Sequence, residues 1–220
     1  DLWVSNKLEK QLEVFEKENC DLVYTSGNIF EGNIQNLLKA IKVPEGLQNN
    51  DSFIVKQLFG YSVPILSVMV KKDHLLKVNG FDEDLKVQNA EDYQLWIKLC
   101  DNDTRFYGMQ EELFYYRVHA NQATSSDSLA LNQSIWALSR LTLKKVSEKI
   151  KNSIMNKRVN RYLVHEFDNM DTNRQCEIIK LYSDPLGKSL KYMFCFLLMS
   201  INKKLLIKYG YRFFDLSENI

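Results

Sequence analysis

Gly80-Phe81-Asp82-Glu83-Asp84-Leu85, then Glu91-Asp92-Tyr93-Gln94-Leu95-Trp96, then Tyr116-Arg117-Val118-His119 are the segments on which the reading of this chain turns. Asn79 and Gly80 break a short helical run over 73–78, because glycine takes a positive φ at little cost. Beyond the loop, Tyr93, Trp96, Ile97 and Cys100 fall on neighbouring helical faces with Leu95 and Leu99 beside them, so Glu91 and Asp92 open an amphipathic helix. Aromatic-rich alternation predicts strands over 105–109 and 113–118, the second ending at His119. About forty residues thus hold a loop glycine, an acidic pair at a helix start and a histidine past a strand.

Toward the N-terminus, Leu8, Leu12 and Phe15 predict a helix from Ser5 or Asn6 to about Glu18. Asp21 to Ser26 reads as a core strand closed by a turn at Gly27-Asn28. Residues 31–50, with Pro44 and Gly46, read as an irregular excursion. Ser52 is expected to cap a helix carrying Phe53, Ile54, Val55, Leu58 and Phe59 and ended by Gly60. Ile65 to Val70 reads as a buried strand, and Asp73 as the cap of a short helix through Val78.

From about Ser125 the texture is all helical. One helix is expected from near Ser126 toward Ile150, another over Val159, Tyr162, Leu163 and Phe167. A third holds Cys176, Ile178, Ile179 and Leu181 before Pro185-Leu186-Gly187, and a last runs from Lys188 toward Tyr209. The expected division is 1–125, an α/β domain, and 126–220, a helical extension.

Composition bounds the class. With 220 residues, 45% hydrophobic and 26% charged, the chain is able to bury a core. A formal net charge of +1, without basic residues interleaved with aromatics, gives no reason to expect nucleic acid as a partner. Four widely spaced cysteines, Cys20, Cys100, Cys176 and Cys195, include no C-x-x-C pair and read as reduced, buried thiols of a cytosolic compartment.

In order, the G-F-D-E-x-L, E-D-Y-x-L-W and Y-R-x-H segments resemble the family 2 glycosyltransferases of the GT-A fold. Asp1-Leu2-Trp3 with Asn6-Lys7-Leu8-Glu9-Lys10-Gln11 is similar to the segment that follows this family's metal-binding Asp-x-Asp. The resemblance covers roughly 1–125. It implies a partial GT-A, Rossmann-like mixed sheet with flanking helices, preceded in the complete enzyme by a nucleotide-binding half that this chain lacks. It also implies a nucleotide-sugar donor, a glycan or lipid-linked acceptor, a divalent cation (Mg or Mn) and inverting transfer, as in polysaccharide biosynthesis at the cell envelope.

By the same resemblance Asp92 is the general base and Glu91 contacts the acceptor or orients the loop. A helix N-terminus suits this role, since its partial positive charge favours an ionised carboxylate by about 0.3–1 kcal/mol; capping alone is the alternative for both acids. Gly80 would allow the backbone close to the donor sugar, or simply end a helix, and Asp82 stands in the same substrate-binding segment. The formal Asp-x-Asp of Asp82 and Asp84 is rejected as the metal motif. His119 would ligate the cation or bond the leaving diphosphate, with a surface role as alternative. Arg117 would pair with phosphate or with a core carboxylate, and Trp96 would stack on sugar or pack.

The apolar run 192–201, ten residues long, is too short to span a bilayer, and with the lysines that follow it the stretch 192–214 reads either as a peripheral contact with the inner face of the plasma membrane or as a packed helix. The competing function is a non-catalytic remnant acting as a scaffold or interaction module.

Overall fold

Two strands, β2 (Leu22–Glu31) and β6 (Phe106–Val118), pair in parallel at the centre of a six-stranded mixed sheet. Side chains alternate between the faces of a strand. Leu22, Tyr24 and Phe106 therefore enter one core, while Val23, Tyr107 and Met109 enter another. The computed structural model describes residues 1–60, 63–119 and 127–166. The antiparallel β4 (Gly46–Leu47) borders the first part of β6, and β1 (Leu2–Trp3) the last part. β5 (Met69–Val70) and β3 (Leu37–Ile41) flank β2 in the same way.

Helices cover both faces, as the α/β reading expects. α1 (Lys7–Lys17) lies on the Val23 face through Val14 and Phe15. α2 (Asn50–Leu58) and α4 (Glu91–Asp101) bury Phe53, Ile54, Leu58, Trp96 and Leu99 on the Leu22 face. α3 (Lys72–Lys77) leads into the glycine loop. α5 (Asp127–Ser139) adds Leu138 to the larger core, and the start of α6 (Glu148–Glu166) adds Ile154 and Met155. One compact unit runs Asp1–Met155, past the expected boundary at 125/126; a second, Asn156–Ile220, is described only over 156–166. Phe167, the helices expected beyond it and the stretch 192–214 lie outside the described residues.

Several local expectations are corrected. Gly27-Asn28 is no turn: β2 runs on to Glu31, and Gly27 serves the approach of Phe114, whose ring would lie 2.4 Å from a Cβ placed there. Residues 31–50 contain an ordered hairpin partner, β3, reached through Gly32 at φ 62°. The cap of α2 is Asn49, whose Oδ1 accepts from the Ser52 amide at 3.1 Å. Ile65–Ser67 is a single 3-10 turn, held by the Ser67 hydroxyl donating to the Pro64 carbonyl, and only Met69 and Val70 are strand. The two strands expected over 105–118 are one, with a register shift opposite Thr25 and Ser26 that leaves Gln110 and Glu111 unpaired with β2. The helix expected over 126–150 breaks after Ser139, because the buried Asp101 carboxylate accepts from the Lys144 and Lys145 amides at 2.9 Å and satisfies a non-helical connection.

The buried face of α1 also differs from its apolar spacing. Lys7 and Gln11 are 1% and 0% exposed, whereas Leu8 and Leu12 are 50% and 54% exposed. Gln11 Nε2 donates to the carbonyls of Val23 (3.2 Å) and Ser67 (2.7 Å), and its Oε1 accepts from Lys7 Nζ at 2.6 Å. Burial brings the Lys7 ammonium down to about 8, and it sits 4.2 Å from the centre of the Trp3 ring. The helix is thus oriented by polar groups that carbonyls at the edge of the core require.

At the start of the β2–β6 ladder, Asp21 is a buried carboxylate held in a fork by Arg105 (Nε to Oδ2 2.7 Å, Nη2 to Oδ1 2.8 Å) and by Lys71 Nζ at 3.0 Å. Burial by itself would raise the carboxyl, but the bonds from Arg105 and Lys71 hold it well below the usual carboxylate range. Its contribution to stability is therefore complete above the ordinary aspartate value of about 4 and is lost as pH falls from there toward the depressed value. Asp21→Asn should lower unfolding stability by roughly 2 kcal/mol at pH 7. In urea denaturation, the gap between the variant and the parent should close as pH is lowered below about 4.

Candidate functional site

Asn79 and Gly80 both adopt left-handed backbone, φ 57° and 58°, and end α3 with the Gly80 amide on the Leu75 carbonyl at 2.9 Å. A Cβ on Gly80 would meet nothing within 4 Å, so the glycine is required by its dihedral and not by crowding. The next acids build turns. Asp82 Oδ1 accepts from the Asp84 amide at 3.1 Å, and Asp84 Oδ1 accepts from the Lys86 amide at 2.9 Å to open a 3-10 turn over Leu85–Val87. Asn89, at φ 64°, then redirects the chain into α4.

The first turn of α4 has no side-chain cap, since Ala90 occupies that position. Glu91 and Asp92 follow at once, both partly buried. Asp92 Oδ1 accepts from the Tyr93 amide at 2.6 Å. Glu91 Oε2 is enclosed and meets no hydrogen-bond donor among the described residues. The electrostatic balance at Asp92 runs opposite to the expectation from the helix N-terminus. Burial pushes its carboxyl up from the ordinary aspartate value, the neighbouring Glu91 charge adds to the rise, and the amide bonds offset only part of it.

Asp82 and Gly80 are tied to the same helix. Asp82 Oδ2 accepts from Gln94 Nε2 at 3.2 Å and from Arg140 Nε at 3.0 Å, and the Gly80 carbonyl accepts from Lys98 Nζ at 2.6 Å. Although burial opposes it, these donors and the Asp84 amide hold the Asp82 carboxyl below its usual value. Trp96, one position on the far side of Leu95, is 2% exposed and donates its indole N–H to the Val63 carbonyl at 3.1 Å. It takes the packing alternative, not the stacking one.

A second group lies at the other end of β6. The Arg117 amide donates to Asp1 Oδ1 at 2.9 Å, its Nη1 to the Gly32 carbonyl at 2.8 Å, and its guanidinium lies 4.5 Å from the centre of the Phe30 ring. Among the described residues, a carbonyl and an aromatic face hold that guanidinium. His119 follows, exposed, just past the strand. Among the described residues no group of three or more His, Cys, Asp or Glu side chains is placed to hold a metal ion. Cys20 and Cys100 are buried free thiols, and no described helix is long and apolar enough to cross a membrane.

Sequence reading missed Gln94, Lys98 and Arg140. The first two stand four residues apart on α4, a spacing that places them on one face toward the loop. Arg140 had no signal, because nothing in the order of residues says that the chain returns to Asp82 after 58 positions.

No family model matches the chain. It is similar to "Putative teichuronic acid biosynthesis glycosyltransferase TuaG" of Bacillus subtilis, 27% identical over 140 residues that make up 64% of this chain and 52% of that protein. It is also similar to an uncharacterized glycosyltransferase of Methanocaldococcus jannaschii, 30% identical over 119 residues, 54% of this chain and 39% of that protein. The chain thus has glycosyltransferase homologues, and it spans about half the length, or less, of each of these two.

Because the charged form of Asp92 is disfavoured by burial, Asp92→Asn should leave the melting temperature at pH 7 unchanged or raise it. Trp96→Ala, by contrast, should cost about 3–5 kcal/mol. Calorimetric melting of the two variants checks both.

Proposed function

We propose that this chain is the acceptor-side part of a family 2, GT-A-type glycosyltransferase that moves a sugar from a nucleotide-sugar to a glycan or lipid-linked acceptor with inversion. The observation that carries the proposal is the Glu91-Asp92 pair: two adjacent carboxylates at an uncapped helix start, one raised by burial and the other with Oε2 enclosed and without a donor among the described residues. A general base works best when its pKa lies near the operating pH, and burial moves Asp92 in that direction. In the proposed step the acceptor hydroxyl oxygen attacks the anomeric carbon and the bond from that carbon to the nucleoside diphosphate breaks. The hydroxyl proton passes to Asp92, and the diphosphate leaves with the bonding pair. Glu91 would hold the acceptor.

The antiparallel register Leu2↔Tyr115 supports the donor side of the proposal. Any residue preceding Asp1 that kept this register would run beside Arg117 and then toward His119, which is where the resemblance puts carboxylates for Mg or Mn. His119 would join such carboxylates in holding the cation, which would neutralise charge on the departing diphosphate, while Glu91 and Asp92 act on the acceptor. The teichuronic acid biosynthesis in the name of the Bacillus subtilis relative supports a cell-envelope polysaccharide as product. Cytoplasmic placement at the inner face of the plasma membrane goes with that proposal.

In the natural full-length protein, assayed against a panel of UDP- and GDP-sugars, Asp92→Asn should lower turnover by at least ~10² with donor affinity nearly unchanged. Glu91→Gln should be milder. Since the base acts unprotonated, turnover of the parent should fall as pH drops through a value above the ordinary aspartate range. Near-parental turnover in Asp92→Asn would sink the assignment.

A further inference from the structure

We infer that Arg140 is a positioning residue for the proposed transfer site, clamping residues 80–84 onto α4 so that Glu91 and Asp92 are presented in place; this rests on the transfer reading above. The loop needs an external hold. Asn79, Gly80 and Asn89 are left-handed, and Leu85 is 82% exposed, so apolar burial does little to fix residues 80–86. What holds the loop is polar. The Arg140 fork spans two carboxylates, Nε to Asp82 Oδ2 at 3.0 Å and Nη1 to Asp84 Oδ2 at 3.2 Å, while Gln94 and Lys98 secure the same segment from α4.

Arg140 is also the last of a row. Gln133 Oε1 accepts from Asn89 Nδ2 at 3.1 Å, the Ala137 carbonyl accepts from Gln94 Nε2 at 3.1 Å, and Lys86 Nζ lies 4.4 Å from the centre of the Trp136 ring. Positions 133, 136, 137 and 140 share one helical face. That face of α5 and its C-terminal extension is turned to residues 82–94, while Leu138 enters the main core. α5 is therefore part of the catalytic unit, and the acidic residues of the loop serve to receive Arg140.

The experiment compares Arg140→Ala, Arg140→Lys and Lys145→Ala in the natural full-length protein. Lys145 lies on the same connection but pairs with Asp51 and Asp103, so it controls for a general loss of ion pairs. Hydrogen exchange of residues 81–90 and steady-state kinetics with acceptor and donor varied separately are the readouts. For Arg140→Ala, exchange should accelerate about tenfold or more. The acceptor kcat/KM should fall roughly ten- to hundredfold, with the donor KM within about twofold. Arg140→Lys should recover part of both, and Lys145→Ala should change neither. Unchanged exchange in Arg140→Ala, or faster exchange with unaltered acceptor kinetics, overturns the inference. A parent protein that transfers no sugar, whose loop is nonetheless loosened by Arg140→Ala, overturns the transfer reading and leaves the clamp standing.

Discussion

The ion cluster of Asp21 with Arg105 and Lys71 stands where the parallel ladder of β2 and β6 begins, and much of the molecule depends on that ladder. Parallel strands cannot be joined by a tight turn; they need a crossover. Here the crossover is the stretch between Glu31 and Phe106, including α2, α3 and α4. A slip of one residue between β2 and β6 would mismatch the two faces, sending Leu22 and Tyr24 toward α1 and Val23 toward α4. Asp21, one residue before Leu22, takes both the amide and the guanidinium of Arg105, one residue before Phe106. The charge pair thus sits at the position that sets the register Leu22↔Phe106. Lys71, from the residue after β5, brings a third strand to the same carboxylate.

Burial then decides what the polar groups on these elements do. On α1 it produces a helix whose inner face carries Lys7 and Gln11, because the Val23 and Ser67 carbonyls need a donor more than the core needs two leucines. On α4 it reverses the simple expectation for a carboxylate at a helix start. The helix dipole favours charge by well under 1 kcal/mol at an exposed terminus, and at Asp92 the loss of water outweighs it. Asp82, twelve residues from Gln94, shows the opposite outcome with the same side-chain type: three polar partners compensate for its burial. Two aspartates close in sequence are thereby driven apart in proton affinity.

The position of α5 changes how the chain is divided. Texture alone separates an α/β part from a helical part near residue 125, yet α5 and the start of α6 complete the core built by α2 and α4. Asp101 at the end of α4 supplies the acceptors for the connection between α5 and α6. The helices after the sheet are, up to Met155, part of the same compact unit.

The amino-acid sequence by itself determined the elements whose cause is local. Asn79-Gly80 had to break a helix, the periodicity of 91–100 had to make one, and the strand character of 21–26 and 105–118 follows from β-branched and aromatic residues alternating in two directions. It also placed Glu91 and Asp92 together at a helix start, so the candidate base was legible. Only tertiary structure decided the rest, because the deciding partners are far away in the chain. Gly27 resembles a turn until Phe114 crosses it, and Trp96 resembles a sugar platform until Val63 takes its N–H. Which face of α1 is inside, whether Asp92 is held charged, and that Asp82 belongs to Arg140 all depend on burial and on contacts across tens of residues, which no local spacing encodes.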